Sequence, residues 1–191
     1  IKIGRRGSLN VALTVKGKQG HAAYPELADN PVPKLAEIVN VISQVKLDEG
    51  NTHFSASNLE VCVIGATSSA TNVIPAEAAA RFNVRYNTHW SRPTITEHVR
   101  KLCSEAADRA GADITLEFSG TGDVFLTKPG PLVDRLSAAV QSVTGRTPAL
   151  TTAGGTSDAR FIQAICPVVD FGLVNETIHA VDERTSTGDL V

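Results

Sequence analysis

Residues 8–50 read SLNVALTVKGKQGHAAYPELADNPVPKLAEIVNVISQVKLDEG, and the fold turns on how this stretch is divided. At its start Leu9, Val11, Leu13 and Val15 alternate with Asn10, Thr14 and Lys16, the period of two that marks a half-buried strand. From Asn30 the period changes. Asn30 can cap a helix and Pro31 suits its first position. Leu35, Ile38, Val39, Ile42 and Val45 then form one apolar helical face that Gly50 closes. The following HFSASNLEVCVIG, residues 53–65, alternates again and predicts a second strand.

The same order recurs downstream. In EAAARFNVRYNTH, residues 77–89, Phe82, Val84 and Tyr86 share one face, with Arg81, Asn83, Arg85 and Asn87 on the other. RPTITEHVRKLCSEAADRAG, residues 92–111, offers Thr94 and Glu97 as a capping box. Val99, Leu102, Cys103, Ala106 and Ala110 form its buried stripe, Gly111 ends it, and DITLEFSG (113–120) supplies a fourth strand. Two strand-helix-strand units in tandem predict an antiparallel sheet with two helices on one face, the ferredoxin-like βαββαβ arrangement. The reading assigns residues 7–120 to this domain and residues 1–6 to a hinge.

Residues 121–191 have another character. GPLVDRLSAAVQSVTG (130–145) reads as a helix buried through Leu132, Leu136, Val140 and Val143. TPALTT and CPVVDFG read as short strands, with GGTSDARFIQAI between them as a glycine turn entering a helix. That order suits an α/β domain with parallel strands. About seventy residues are few for such a domain, so its sheet is expected to be completed by further chain. The absence of methionine and the opening on Ile1 carry the same expectation, of a piece of something longer.

Composition narrows the functional classes. Apolar residues make up 42% and charged residues 20% of 191, as in ordinary globular proteins. The net charge of -2 leaves no footprint for nucleic acid, and no basic cluster exceeds Lys2, Arg5 and Arg6. No apolar run approaches the roughly 20 residues of a membrane span, and the start shows no signal-peptide pattern. Cys62, Cys103 and Cys166 are odd in number and far apart, which suits reduced thiols in a cytoplasmic protein.

Two of the five histidines, His21 and His179, lie in loops crowded with special residues. His179 follows an expected strand end, where it is either a metal ligand or a surface imidazole. GGTSD, 154–158, is either an anion-holding helix N-terminus or a plain turn with Thr156 or Ser157 as cap. Asn72 either donates to a ligand oxygen or makes a turn before Pro75. Arg85 either takes a carboxylate in two-pronged fashion or sits in a surface ion pair. A serine nucleophile is excluded, because GxSxG is not matched.

Taken together, GRRGSLN, GHAAYPELADNP, ATNVIP, RFNVR, GGTSDARF and NETIHAVDE occur in the order and spacing of one family. Across almost its whole length the chain resembles the desuccinylase branch of the zinc-dependent aminoacylase and carboxypeptidase superfamily. The resemblance implies a catalytic α/β domain holding two zinc ions, with cobalt as a substitute, interrupted by a ferredoxin-like domain that forms a homodimer. It implies that His21 reaches the partner subunit's site to stabilise an oxyanion, and that His179 is a zinc ligand. Arg5, Tyr24, Asn72, Arg85, Gly155, Thr156 and Asn175 would bind a small polycarboxylate substrate whose N-succinyl amide is cleaved in lysine biosynthesis. The family's remaining zinc ligands and its acidic general base match nothing in this sequence, so the chain is expected to be the C-terminal portion and inactive alone. Acetylornithine deacetylases and zinc carboxypeptidases are the rivals on this scaffold. A non-catalytic ferredoxin-like module for dimerisation or regulation is the rival from another class.

Overall fold

The structure, a computed structural model, describes residues 1–120, 122–172, 177–178 and 180–190, with residues 189 and 190 described by backbone alone. Eight strands and four α-helices lie among the described residues. They are β1 (Gly4–Arg5), β2 (Gly7–Lys16), β3 (Gly20–His21), α1 (Pro31–Ser43), β4 (Asn58–Ala66), β5 (Val73–Ile74) and β6 (Glu77–Tyr86). After these come α2 (Arg92–Ala110), β7 (Asp113–Ser119), β8 (Phe125–Leu126), α3 (Pro131–Thr144) and α4 (Ala159–Ile162).

The alternation read in the sequence sets the central sheet. Strands β4, β6, β2 and β7 pair in that order, all antiparallel, which is the ferredoxin-like topology. In β2, Leu9, Val11, Leu13 and Val15 turn inward and are essentially buried, as are Phe82, Val84 and Tyr86 on the same face of β6. Helices α1 and α2 close this face with Leu35, Ile38, Ile42, Ile95, Val99 and Cys103. Burial alone pushes the Cys103 thiol up to about 12, so it packs as a small apolar residue.

The helix boundaries depart from the sequence reading in two places. Helix α1 starts as expected, with the Asn30 side chain accepting from the Val32 N–H, but it ends at Ser43 rather than at Gly50. Residues 44–57 leave the helix because Asp48 gathers them. Its Oδ1 accepts from the N–H groups of Gly50 (2.8 Å) and Ser57 (3.1 Å) and from Asn87 Nδ2 (2.7 Å). Its Oδ2 accepts from Trp90 Nε1 at 2.9 Å. Helix α2 is capped by Ser91 with Thr94, not by Thr94 with Glu97. The Thr94 hydroxyl fills the reciprocal role usually taken by Glu. Gly111 ends α2 in the left-handed region, as its composition predicts.

Strand β4 begins at Asn58, five residues later than expected, and carries a bulge between Val61 and Val63. It forms one edge of the sheet, and beyond the bulge Val63 and Ile64 are 53% and 57% exposed.

Beyond Phe125 the expected strands shrink to single bridges. Lys2 pairs with Thr151 in parallel and with Asp170 antiparallel, while β1 pairs antiparallel with β8. Among the described residues the predicted parallel sheet is thus reduced to one parallel bridge, and the pairings around it are antiparallel. Helix α3 forms where predicted, but Val133 is its buried residue, and Leu132 and Val143 face solvent. Helix α4 has only four residues and starts after Asp158, so the glycine turn does not open a long helix.

Arg6 on one side, and Gly120 with residues 122–124 on the other, connect the sheet to this second part of the chain. The chain approaches closely here: a Cβ on Gly7 would lie 2.1 Å from Cζ of the buried Tyr86 ring. The Tyr86 hydroxyl is buried and has no hydrogen-bond partner among the described residues. Burial, and then the nearby Asp123 charge, push it above the ordinary phenol range.

Candidate functional site

The residues singled out in the sequence fall into three groups. The first surrounds His21. Strand β2 ends at Lys16, Gly17 donates to the Ala76 carbonyl, and β3 then pairs with β5 through His21 and Val73. A Cβ on Gly17 would lie 2.4 Å from the Asp29 carbonyl, so the tight return of the loop onto itself requires glycine there. The Ala22 N–H donates to the Asn72 carbonyl at 3.0 Å, which brings Asn72 beside the histidine. Tyr24 closes the turn by donating its N–H to the His21 carbonyl at 2.9 Å. Its ring meets the imidazole edge-on, with centroids 5.8 Å apart. Pro25–Leu27 continue as a 3₁₀ turn, and Lys34 pairs with Asp29 at 2.7 Å to hold the loop's exit. His21, Tyr24 and Asn72 therefore form one exposed cluster at the far end of the sheet.

The second group lies near the other end. Arg85 is opposite Ser8 in β2 and opposite Asn58 in β4, on the face away from the helices. Arg6, which the sequence reading noted as a basic residue but did not place among the substrate-binding residues, approaches from the connection. Its Nη1 donates to Asn58 Oδ1 at 2.9 Å and to the Ala56 carbonyl at 3.4 Å. Burial, and then the like charge of Arg85, hold the Arg6 guanidinium below its ordinary value. Neither arginine forms an ion pair among the described residues. A pair of unneutralised guanidiniums is suited to an anion, and a carboxylate matches their planar donors. The doubled arginine of GRRGSLN was the available signal for Arg6.

The third group is built on Arg5 and the glycine turn. Arg5 Nε donates to Asp170 Oδ2 at 2.7 Å, Ser157 Oγ donates to the same oxygen at 2.8 Å, and Arg5 Nη1 reaches the Ala153 carbonyl at 3.4 Å. Arg5 is thus already paired, which fixes the turn carrying Gly155 and Thr156 against β1. Thr156 Oγ1 accepts from Arg160 Nη1 at 2.9 Å. Arg5 and Arg85 arise from the same end of the sheet, so the second and third groups are neighbours across the connection. Asn175 and His179 lie outside the described residues.

No set of three or more His, Cys, Asp or Glu side chains that could hold a metal ion exists among the described residues. The described residues therefore do not make up a metal site by themselves. Among the described residues no helix is long and apolar enough to cross a membrane. A cleft of about 490 Å³ between Phe125–Leu132 and Gln163–Pro167 contains none of the candidate residues.

Comparison with known proteins adds to this geometry. Residues 3–110 match the model of the peptidase dimerisation domain. A succinyl-diaminopimelate desuccinylase of Beijerinckia indica subsp. indica is 51% identical over 191 residues, covering 100% of this chain and 49% of the relative. One of the same name from Methylobacterium nodulans is also 51% identical, with 100% and 48% covered. The chain spans about half the length of the curated relatives it matches. Among solved structures, a tripeptidase from Staphylococcus aureus subsp. aureus superposes with a TM-score of 0.79 at 19% identity, covering 98% of this chain and 49% of that one.

Proposed function

We propose that this chain, which belongs to the peptidase dimerisation domain family, is the dimerising and substrate-flanking part of a metal-dependent amidohydrolase. The reaction is hydrolysis of N-succinyl-L,L-2,6-diaminopimelate to succinate and L,L-diaminopimelate, a step of lysine biosynthesis. Relatives that are half identical along the whole of this chain and carry the desuccinylase name support that substrate.

One structural observation carries the division of labour. The His21 cluster and the Arg5, Arg6 and Arg85 groups lie at opposite ends of a ten-residue strand pair. A single copy cannot bring both to one small substrate, and a second copy can. In this reading Arg85, with Arg6 beside it, takes a substrate carboxylate, and the turn at Gly155 and Thr156 lines the pocket against Arg5. Asn175 belongs to the same pocket. His21, flanked by Tyr24 and Asn72, comes from the partner and donates a hydrogen bond to the amide oxygen as it gains charge.

Two metal ions, zinc in the superfamily the sequence resembles, belong to the proposal through His179 and through the relatives' length that this chain does not span. When bound, such ions polarise a carbonyl and activate water. The homodimer is formed through the edge strand β4. Its outer half, Val63 to Ala66, offers apolar side chains and no charge, whereas the opposite edge β7 exposes Asp113 and Glu117.

The test uses the full-length enzyme on three substrates: the N-succinyl diamino acid, N-acetylornithine and an unmodified peptide. The desuccinylase reading predicts the highest kcat/KM for the first. A preference for either of the others would replace it.

A further inference from the structure

We infer that the backbone amide of Ala23 is a positioning group that locks His21 as the Nε2–H tautomer, making its outward nitrogen a fixed hydrogen-bond donor. As an account of catalysis this rests on the amidohydrolase reading above, whereas the tautomer itself does not.

A neutral imidazole has one N–H and one lone pair, and a partner at either nitrogen decides which is which. The Ala23 N–H donates to His21 Nδ1 at 3.0 Å. A backbone N–H cannot accept, so Nδ1 must carry the lone pair and the proton sits on Nε2. The surrounding turn holds both partners in place. His21 is anchored by its pairing with Val73, Ala22 by its bond to the Asn72 carbonyl, and Tyr24 by its bond back to the His21 carbonyl. The Tyr24 ring, inclined at 61° to the imidazole, stands on one side of it. Turning the imidazole over would present a C–H to the Ala23 amide and lose the bond. Among the described residues Nε2 has no hydrogen-bond partner of its own.

The chemical consequence is specific. An outward Nε2–H can stabilise negative charge on an oxygen but cannot take a proton from water. His21 is thereby a donor and not a general base. The other tautomer would aim a lone pair at the same oxygen and repel it. Ala22 and Ala23 add no polar side chain that could compete for Nδ1.

The test is long-range ¹H–¹⁵N NMR of the imidazoles in the uniformly labelled 191-residue chain in mildly alkaline buffer, with the His21 signals assigned by their loss in His21→Ala. The expected pattern is a single Nε2–H tautomer in the parent and in Ala23→Gly, which keeps the amide donor. Ala23→Pro, which removes it, should lose that single pattern to a mixture with Nδ1–H. An Nδ1–H form or a mixture in the parent would overturn the inference. The parent and Ala23→Gly spectra decide it even if proline disturbs the turn. Normal turnover in a full-length His21→Ala enzyme would sink the catalytic reading and leave the tautomer result standing, so the two failures are distinct.

Discussion

His21 and Arg85 stand at opposite ends of one sheet. Arg85 is the register partner of Ser8, and His21 lies past Lys16, where the same strand ends. Eight strand positions separate Ser8 from Lys16, which at about 3.4 Å per residue is roughly 27 Å. Arg85 is on the side of the connection that leads to Arg5 and the glycine turn, while His21 is exposed at the far tip. A small substrate held by Arg85 is thus out of reach of the same copy's His21. This separation makes a second copy necessary to the proposed site.

The interface is the first thing to test. Replacing Ile64, an exposed residue on the uncharged half of β4, by lysine would set like charges near each other across a two-fold axis. Like-charge juxtaposition costs several kcal/mol, so Ile64→Lys should weaken association by on the order of a hundredfold. Light scattering should report monomer where the parent is dimeric, with an unchanged circular dichroism spectrum. An undiminished dimer would move the interface away from β4.

Asp48 predicts an acid sensitivity. Partial burial pushes its carboxyl up, but hydrogen bonds from the Ser57 side chain and backbone, the Gly50 amide and the Trp90 indole outweigh it. They hold the group well below the usual carboxylate range. With the folded value depressed, the stabilisation is fully present above the unfolded value of about 4 and is lost as pH falls below it. Asp48→Asn should therefore flatten the decline in melting temperature below about pH 4. At neutral pH, Asp48→Ala should cost about 2–3 kcal/mol, since it strands donors on Asn87 and Trp90. Parallel acid profiles for parent and Asp48→Asn would refute this.

The Asp48 network also shows where sequence reading stops. Period-two alternation in β2 and β6 set the register correctly, because burial of one face forces it. Asn30 with Pro31 and Gly111 marked helix ends through local chemistry, and the structure has them in those roles. The end of α1 was not legible. Val45 continues the apolar period, and only the distant Asn87 and Trp90 draw Asp48 out of a longer helix. At the candidate site, the loop composition singled out His21, yet nothing local revealed that Arg5 is tied to Asp170 or that Arg6 lies beside Arg85. Those are contacts across more than fifty positions of chain.

Gly7 is required by space rather than by backbone angle. Gly7→Ala would drive a Cβ into the ring of Tyr86, which is buried and cannot retreat. Overpacking of this kind costs about 1–3 kcal/mol. Urea denaturation should show that loss with an unchanged slope, and a wild-type midpoint would contradict the close approach.

In the full-length enzyme, His21→Ala should leave folding and metal content unchanged, because the side chain is exposed at the end of the two-residue strand β3 and contributes nothing to the core. Turnover should fall by about 10²–10³-fold, the usual loss for one oxyanion donor. The KM should move far less, since the bond strengthens mainly as charge develops. Steady-state kinetics separate this from a turn histidine with local bonds alone, which predicts normal kcat.

The most direct test of the shared site is a mixed dimer of full-length subunits, one carrying His21→Ala and the other His179→Ala. If His21 acts across the interface, both defects fall in one site and the other site keeps a sound His179 and a sound His21. The specific activity of the isolated mixed dimer should then be about half that of the parent. If His21 serves its own subunit, each site carries one defect, and activity near zero in a correctly assembled mixed dimer would contradict the account.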